Sequence, residues 1–368
     1  MAKFNLYQKL DVRLPGHVYP ILIGHSALAD EELLRSCVPS KQVLIVTNET
    51  IAPLYLGPVQ AAFSDRQCDL VILDDGEAFK NQQSLMSIYD RLIAKQHHRD
   101  TCLIALGGGV VGDITGFAAA TFQRGVSFVQ IPTTLLAQID ASIGGKTAIN
   151  HPQAKNMIGS FHQPDVVIID LNTLQTLPDR EFQAGLAEII KYALLAGGSF
   201  FELVYQALKE GLAENSSEKL PAIISQCCEI KAKFVQEDER EAGLRALLNL
   251  GHTFAHALEA YTHFQRWLHG EAVAIGLYCA ALLSHQQGQM DEKNLHLVDE
   301  MLAMAKLPRR IPVDIDLNEL RVLMSQDKKI KNERLRFILV KEFGNCYIED
   351  QVSEDNLRLS LQTAIEGD

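Results

Sequence analysis

Three stretches of the chain carry side chains that can hold a metal ion and move protons. In Gly185-Leu186-Ala187-Glu188-Ile189-Ile190-Lys191-Tyr192 a carboxylate and an amine stand three apart on one face of an otherwise apolar helix. A solvated ion pair often has this spacing, but Ile189 and Ile190 flank this one, and Ala184-Gly185 leaves room for another element to approach. In Asn249-Leu250-Gly251-His252-Thr253-Phe254-Ala255-His256-Ala257-Leu258-Glu259, His252 and His256 share a helical face, as paired imidazole ligands do. No glutamate follows the first histidine, so this is not the H-E-x-x-H arrangement. Leu268-His269-Gly270-Glu271 opens a further apolar helix. One carboxylate and two imidazoles from separate helices, with a fourth position open, make a catalytic zinc site. Spacing alone leaves His256 and His269 as alternatives for the second imidazole.

A different chemistry lies in the apolar run Cys102 to Leu106, which enters Gly107-Gly108-Gly109-Val110-Val111-Gly112-Asp113. Glycine lets backbone N–H groups approach a phosphate with no Cβ in the way. A helix expected from Asp113 to Thr121 would aim its positive end at the same spot. Gly107, Gly109 and Gly112 satisfy G-x-G-x-x-G, but the dinucleotide fingerprint also wants an acid about 20 residues on, and Val126 to Ile131 ends in Pro132-Thr133-Thr134 instead. The loop also follows an earlier strand, Val43 to Val46, so it is not an ordinary first turn. Gly145-Lys146-Thr147 looks like the end of a Walker-type loop, but Asp140 occupies the place of its leading glycine. Polar residues recur through Arg124, Thr133, Thr134, Asp140 and Lys146, which suits a nucleotide with a charged substrate beside it.

Cations gather in the same stretches: Lys191, Lys231, Arg245, Arg124, Lys146 and Lys155 could hold an anion with two charged ends. The chain of 368 residues has a formal net charge of −12, which disfavours nucleic acid or an anionic membrane as partner and leaves a small anionic substrate held by a local cluster. Its 47% hydrophobic and 22% charged content is that of a soluble globular protein with room for two domains. Seven scattered cysteines in no zinc-ribbon pattern suit reduced thiols in a cytoplasm, and Met1-Ala2-Lys3-Phe4-Asn5 has no signal-type apolar core. The longest apolar stretch, Ala272 to Leu283, is too short to span a bilayer.

These residues need elements to position them. Up to residue 178 short β-rich runs (Tyr19–Ile23, Val43–Val46, Leu70–Leu73, Cys102–Leu106, Val126–Ile131, Val166–Ile169) alternate with helical stretches such as Gln82 to Lys95. From 179 the period is helical: Arg180–Leu195, Phe200–Leu212, Leu220–Glu237, Leu247–Tyr261, Glu271–Gln286 and Glu292–Lys306, with a hairpin at Leu335–Val340 and Cys346–Ile348. The expected architecture is an α/β nucleotide-binding domain over 1–178 and a mainly α-helical domain over 179–368.

The motifs, taken in order, closely resemble 3-dehydroquinate synthase. The likeness runs from about Val43 to Gly344 through Asp75-Gly76-Glu77-Ala78-Phe79-Lys80, Leu106 to Phe117, Phe122-Gln123-Arg124-Gly125, Pro132 to Asn150, Lys155-Asn156-Met157-Ile158-Gly159, Gly185 to Tyr192, Leu248 to Glu259, His269-Gly270-Glu271 and Asp327-Lys328-Lys329. The resemblance implies the two-domain dehydroquinate-synthase-like fold and an NAD- and zinc- or cobalt-dependent lyase of the shikimate pathway, cytoplasmic and homodimeric. The implied reaction converts 3-deoxy-D-arabino-heptulosonate 7-phosphate to 3-dehydroquinate and phosphate by transient oxidation, elimination, reduction and aldol closure. Matched residue by residue, it implies Glu188, His252 and His269 as metal ligands, which turns His256 toward the substrate. It places NAD against Asp75, Gly76, Glu77, Lys80, Gly108, Gly109, Val110, Val111, Gly112, Asp113, Thr133, Thr134, Lys146, Lys155, Thr173, Leu174, Gln175 and Thr176. It gives the substrate Asp140, Lys146, Asn156, Lys191, Lys231, Arg245, Asn249 and His256, with Arg124 reaching a partner's site and one of Lys328 and Lys329 entering. Asn48 stands where many members of the family have an acid beside the adenosine ribose. The alternatives are another sugar-phosphate cyclase, whose substrate lacks the carboxylate, and a metal-dependent NAD alcohol or glycerol dehydrogenase, which needs neither the Lys155-Asn156 pair nor the cation cluster. A non-catalytic regulatory protein would not need the metal triad.

Overall fold

A computed structural model describes residues 3–325 and 335–365. Lys328 and Lys329, one of which was expected at the site, lie outside the described residues. The chain forms two compact units, one of residues 1–177 with Cys227–Arg240 and one of residues 178–226 with 241–368. No helix among the described residues is long and apolar enough to cross a membrane. The seven cysteines are all free thiols.

The first unit is built on a seven-stranded sheet in the order β1-β2-β9-β6-β5-β3-β4. Its strands are β1 (Asn5–Leu14), β2 (His17–His25), β3 (Gln42–Asn48), β4 (Gln67–Leu73), β5 (Cys102–Gly107), β6 (Ser127–Pro132) and β9 (Val166–Asp170). β1 pairs antiparallel with β2, and every other pairing is parallel. β3, β5 and β9 are apolar runs buried along almost their whole length, as parallel strands covered on both faces must be. β3 passes on to β4 on one side, whereas β5 passes on to β6 on the other, so the strand order reverses between β3 and β5. A crevice outside the carboxyl ends of strands at such a reversal is where open α/β sheets take ligands.

The sequence reading missed β1, an edge strand exposed at its start and then alternating exposed residues with inward ones that end in buried Val12 and Leu14, and the antiparallel ribbon β7 (Lys146–His151) with β8 (Ala154–Phe161). Lys146 begins a strand rather than a helix, which disposes of the Walker-type reading of Gly145-Lys146-Thr147. The helix after β5 begins at Gly109, not at Asp113, because its glycines form the first turn themselves.

In the second unit the helices Asp179–Ala196, Gly198–Lys209, His252–Tyr261, His269–Gln286 and Glu292–Met304 pack with a hairpin of β10 (Phe337–Glu342) and β11 (Asn345–Glu349). The expected Leu247–Tyr261 helix is two pieces, a 3-10 turn Leu244–Asn249 and the helix proper, broken at Gly251 with φ 79°. His269–Gln286 is buried nearly all round, which is why its composition is apolar on every face.

Candidate active site

In the second unit, close backbone contact sets the metal-site geometry. A Cβ on Gly270 would lie 1.8 Å from the Ala184 carbonyl oxygen, so the helix bearing His269 touches the helix bearing Glu188 backbone to backbone. A Cβ on Gly276 would lie 2.2 Å from the Gly251 oxygen, which draws the helix that begins at His252 onto the same His269 helix. Glu271 adds a clamp: its Oε2 accepts from the Leu268 N–H at 2.8 Å, and Arg180 grips it with two contacts of 2.7 and 2.8 Å.

The result is a cluster of three donor atoms. Glu188 Oε1 lies 3.6 Å from His252 Nε2 and 3.8 Å from His269 Nε2, and the three ligand atoms all lie within 4.8 Å of one another. A tetrahedral ion with bonds of about 2.1 Å sets its ligand atoms roughly 3.4 Å apart, so the spacing suits one. Glu188 is 1% exposed, and its Oε1 accepts no hydrogen bond among the described residues, while Oε2 lies against Lys191 Nζ in a buried ion pair. An anionic oxygen left this way in an apolar helix is costly unless a cation meets it. The tautomers agree. His252 Nδ1 stands 3.1 Å from the Leu250 carbonyl and His269 Nδ1 stands 3.1 Å from Glu259 Oε1, both acceptors. Each Nδ1 therefore carries the proton, and each Nε2 presents its lone pair to Glu188. The residues present fit a divalent ion. The His256 ring centroid is 5.5 Å from that of His252 and 6.4 Å from that of His269, close enough to face whatever the ion binds. Lys191 is buried with its Nζ 4.9 Å from the Tyr192 ring centroid. Arg245, 2% exposed, sits on the Leu244–Asn249 turn, where Asn249 Nδ2 donates to Glu241 and to the Ala246 carbonyl.

In the first unit the glycine turn lies at the strand-order reversal. Gly108 is the helix cap and has no side chain to accept from the first-turn N–H groups, which an α-helix leaves without internal acceptors. Thr133 N–H donates to the Gly107 oxygen at 3.0 Å, and Thr133 Oγ1 is buried without a hydrogen-bond partner among the described residues. A buried hydroxyl beside free helix-end donors fits a dinucleotide phosphate. Asn48, at the end of β3, donates to Asp75 Oδ1 at 2.6 Å, and Thr50 donates to Oδ2 at 2.7 Å. The departure at position 48 thus orients a carboxylate that the chain supplies from the next loop.

Lys80, 4% exposed, forms an ion pair with Asp113 and donates to Asn156 Oδ1 at 2.6 Å. Burial pushes the Asp113 carboxyl above its ordinary value, with Lys80 pulling it back. Asn156, at φ 56°, is held further by its N–H to Asn150 Oδ1 at 2.9 Å, and Asn150 Nδ2 donates to Glu77 Oε1 at 2.8 Å, which also faces Lys155 Nζ at 3.6 Å. Lys231, 6% exposed, pairs with Asp140 at 2.9 Å. Thr173 accepts from Gln138 Nε2 at 3.0 Å, Leu174 is buried, Gln175 is exposed, and Thr176 meets Tyr55. Lys146 and Arg124 are exposed.

Sequence reasoning passed over Asn48 as an orienting group, Asn150, Arg180, and Glu259. The spacing of His252, His256 and Glu259, at i, i+4 and i+7 on one helix, was the available signal for the last.

Comparison with known proteins shows which family the chain resembles. The 3-dehydroquinate synthase N-terminal family model matches residues 70–184, and the C-terminal model matches residues 185–330. A 3-dehydroquinate synthase of Legionella pneumophila is 63% identical over 368 residues, covering 100% of both chains. One of Coxiella burnetii is 51% identical over 356 residues, 96% of this chain and 99% of its own. Among solved structures, ValA, the 2-epi-5-epi-valiolone synthase of Streptomyces hygroscopicus with NAD+ and Zn2+ bound, has a TM-score of 0.87 at 27% identity, over 96% of this chain and 98% of that one.

Proposed function

Because the chain belongs to the 3-dehydroquinate synthase family, we propose that it converts 3-deoxy-D-arabino-heptulosonate 7-phosphate to 3-dehydroquinate and phosphate, a step toward the aromatic amino acids. The reaction runs through transient oxidation at C5, loss of phosphate, reduction and intramolecular aldol closure. The cofactors are NAD and a divalent metal, zinc or cobalt. When bound, the ion acidifies a substrate hydroxyl and NAD accepts and returns a hydride. The observation that carries the metal assignment is the convergence of Glu188 Oε1, His252 Nε2 and His269 Nε2.

The chain's own residues do the rest. Lys191 neutralises one oxygen of Glu188 and leaves the other for the ion. The turn at Gly108 to Gly112 gives N–H groups to the dinucleotide pyrophosphate, with Thr133 and Thr134 beside it. Asp75, Gly76, Glu77, Lys80, Asp113, Lys155 and the Thr173–Thr176 turn hold the remainder. Lys146, Lys231 and Arg245 balance the substrate's carboxylate and phosphate, and Asn156 and Asn249 fix its orientation through amide hydrogen bonds. Asp140 holds Lys231 in place, and His256 moves a proton at a substrate hydroxyl. Residues 1–178 serve mainly NAD, and 179–368 serve the metal and substrate. The enzyme works in the cytoplasm as a homodimer in which Arg124 serves the neighbouring copy. Gln123 and Arg124 have φ of 51° and 67°, a strained pair ahead of Gly125, and the arginine is exposed.

The test is phosphate release from the heptulosonate phosphate with sub-stoichiometric NAD, with and without chelator. Many phosphates per NAD, no net NADH, and loss of turnover on chelation are expected. NADH rising in step with product would replace the cyclase by a dehydrogenase.

A further inference from the structure

We propose that Glu259 is a positioning residue for the metal centre: it aims His269 at the ion and sets how tightly the ion is held. The inference rests on the metal reading above. Glu259 is 3% exposed and places Oε1 3.1 Å from His269 Nδ1. An ionised carboxylate only accepts hydrogen bonds, so the proton sits on Nδ1 and Nε2 is left bare toward Glu188. The other ligand, His252, is fixed by a neutral backbone carbonyl instead.

The difference between the two histidines follows from their surroundings. The His252 side chain is 10% exposed, and packing holds its ring. The His269 side chain is 30% exposed, so packing restrains its ring less, although both histidines open their helices. A ring so loosely packed needs a directional partner to choose its tautomer and rotamer. Glu259 supplies one with a negative charge, which also makes the imidazole a stronger donor to a cation. Glu259 and His252 lie on the same helix, so one rigid element carries both a ligand and the support of the other ligand.

The test uses the full chain with Glu259→Gln, which keeps an acceptor but loses the charge, and Glu259→Leu, which loses both. Zn2+ affinity is read by competition with a chromophoric chelator, and ligand geometry by the visible spectrum of the Co2+-loaded protein. Melting of the metal-free protein and NAD binding serve as controls. Glu259→Leu is expected to weaken Zn2+ binding by about 10–100-fold, with Glu259→Gln between it and the parent, and both Co2+ spectra should change. Controls for Glu259→Gln should match the parent. Parent-like Zn2+ affinity and Co2+ spectra in both variants would overturn the proposal, as would a loss matched by collapse of the metal-free fold in both. A parent protein that binds neither ion would instead overturn the metal reading on which the proposal stands.

Discussion

Gly270→Ala should dismantle the metal site from outside it. The added Cβ would stand 1.8 Å from the Ala184 oxygen and 2.5 Å from its carbonyl carbon. A carbon–oxygen contact normally settles at about 3.3 Å. The two helices must therefore separate by roughly 1.5 Å, since neither contact atom belongs to a flexible side chain. Glu188 lies one turn beyond Ala184, and His269 adjoins Gly270. Carried to the ligands, the shift takes their 3.8 Å separation to roughly 5.3 Å. Two atoms on one ion with bonds of about 2.1 Å cannot be more than about 4.2 Å apart. Zn2+ affinity should fall at least ~100-fold, about 2.7 kcal/mol, and the fold should lose about 1–3 kcal/mol from overpacking. Chelator competition measures the first, and thermal melting with and without chelator the second. The parent's melting temperature should drop on chelation, whereas the variant's should barely respond. Gly57→Ala is the control: its Cβ meets nothing within 4 Å and its φ is −52°, so a gain of about 0.4–1 kcal/mol is expected. A folded Gly270→Ala protein with parent-like zinc affinity would refute the reasoning.

His269→Ala should strip zinc, and His256→Ala should keep it while losing turnover, as read by metal analysis and phosphate release. Arg245→Lys keeps the charge but loses the planar fork, so kcat/KM should fall by about 1.5–3 kcal/mol with zinc content and NAD affinity unchanged. Lys80→Met takes the ion-pair partner from the partly exposed Asp113 and should cost about 1–3 kcal/mol of stability, which Asp113→Asn in the same chain should largely restore without restoring NAD affinity. Burial holds the His97 imidazole below its ordinary value of 6.5. The unfolded chain then takes up the proton first, so stability present above pH 6.5 is lost as pH falls from 6.5 through the lower folded value; melting of His97→Gln should show less of that fall.

Much of this was legible in the residues. The parallel strands announced themselves because double burial demands unbroken apolar runs, as in Cys102–Leu106 and Val166–Ile169. The glycine loop did so because only a few chemistries tolerate three glycines at a strand end. β7 and β8 stayed hidden because β8 is mostly exposed and has no alternation to read. The choice of His269 over His256 could not come from spacing, since i,i+4 imidazoles suit a metal as well; the resemblance supplied it, and the geometry places the His269 ring nitrogen against Glu188. The long-range partners, Glu259 behind His269 and Arg180 on Glu271, are set by helix contacts that no local window contains.

The first unit takes its last piece from far along the chain. Lys231, which pairs with Asp140, and Cys228, whose Sγ meets the Gln138 carbonyl at 3.5 Å, belong to the Cys227–Arg240 segment. On the ribosome, about 60 further residues must be made after residue 177 before that segment is complete. At roughly 5–20 residues per second, the nascent sheet waits about 3–13 s without the contacts of Lys231 to Asp140 and of Cys228 to Gln138. For the same reason the first 177 residues are not a portable cassette. Grafting them onto another helical half, by recombination or by hand, would leave the segment behind and with it the Lys231 ion pair to Asp140.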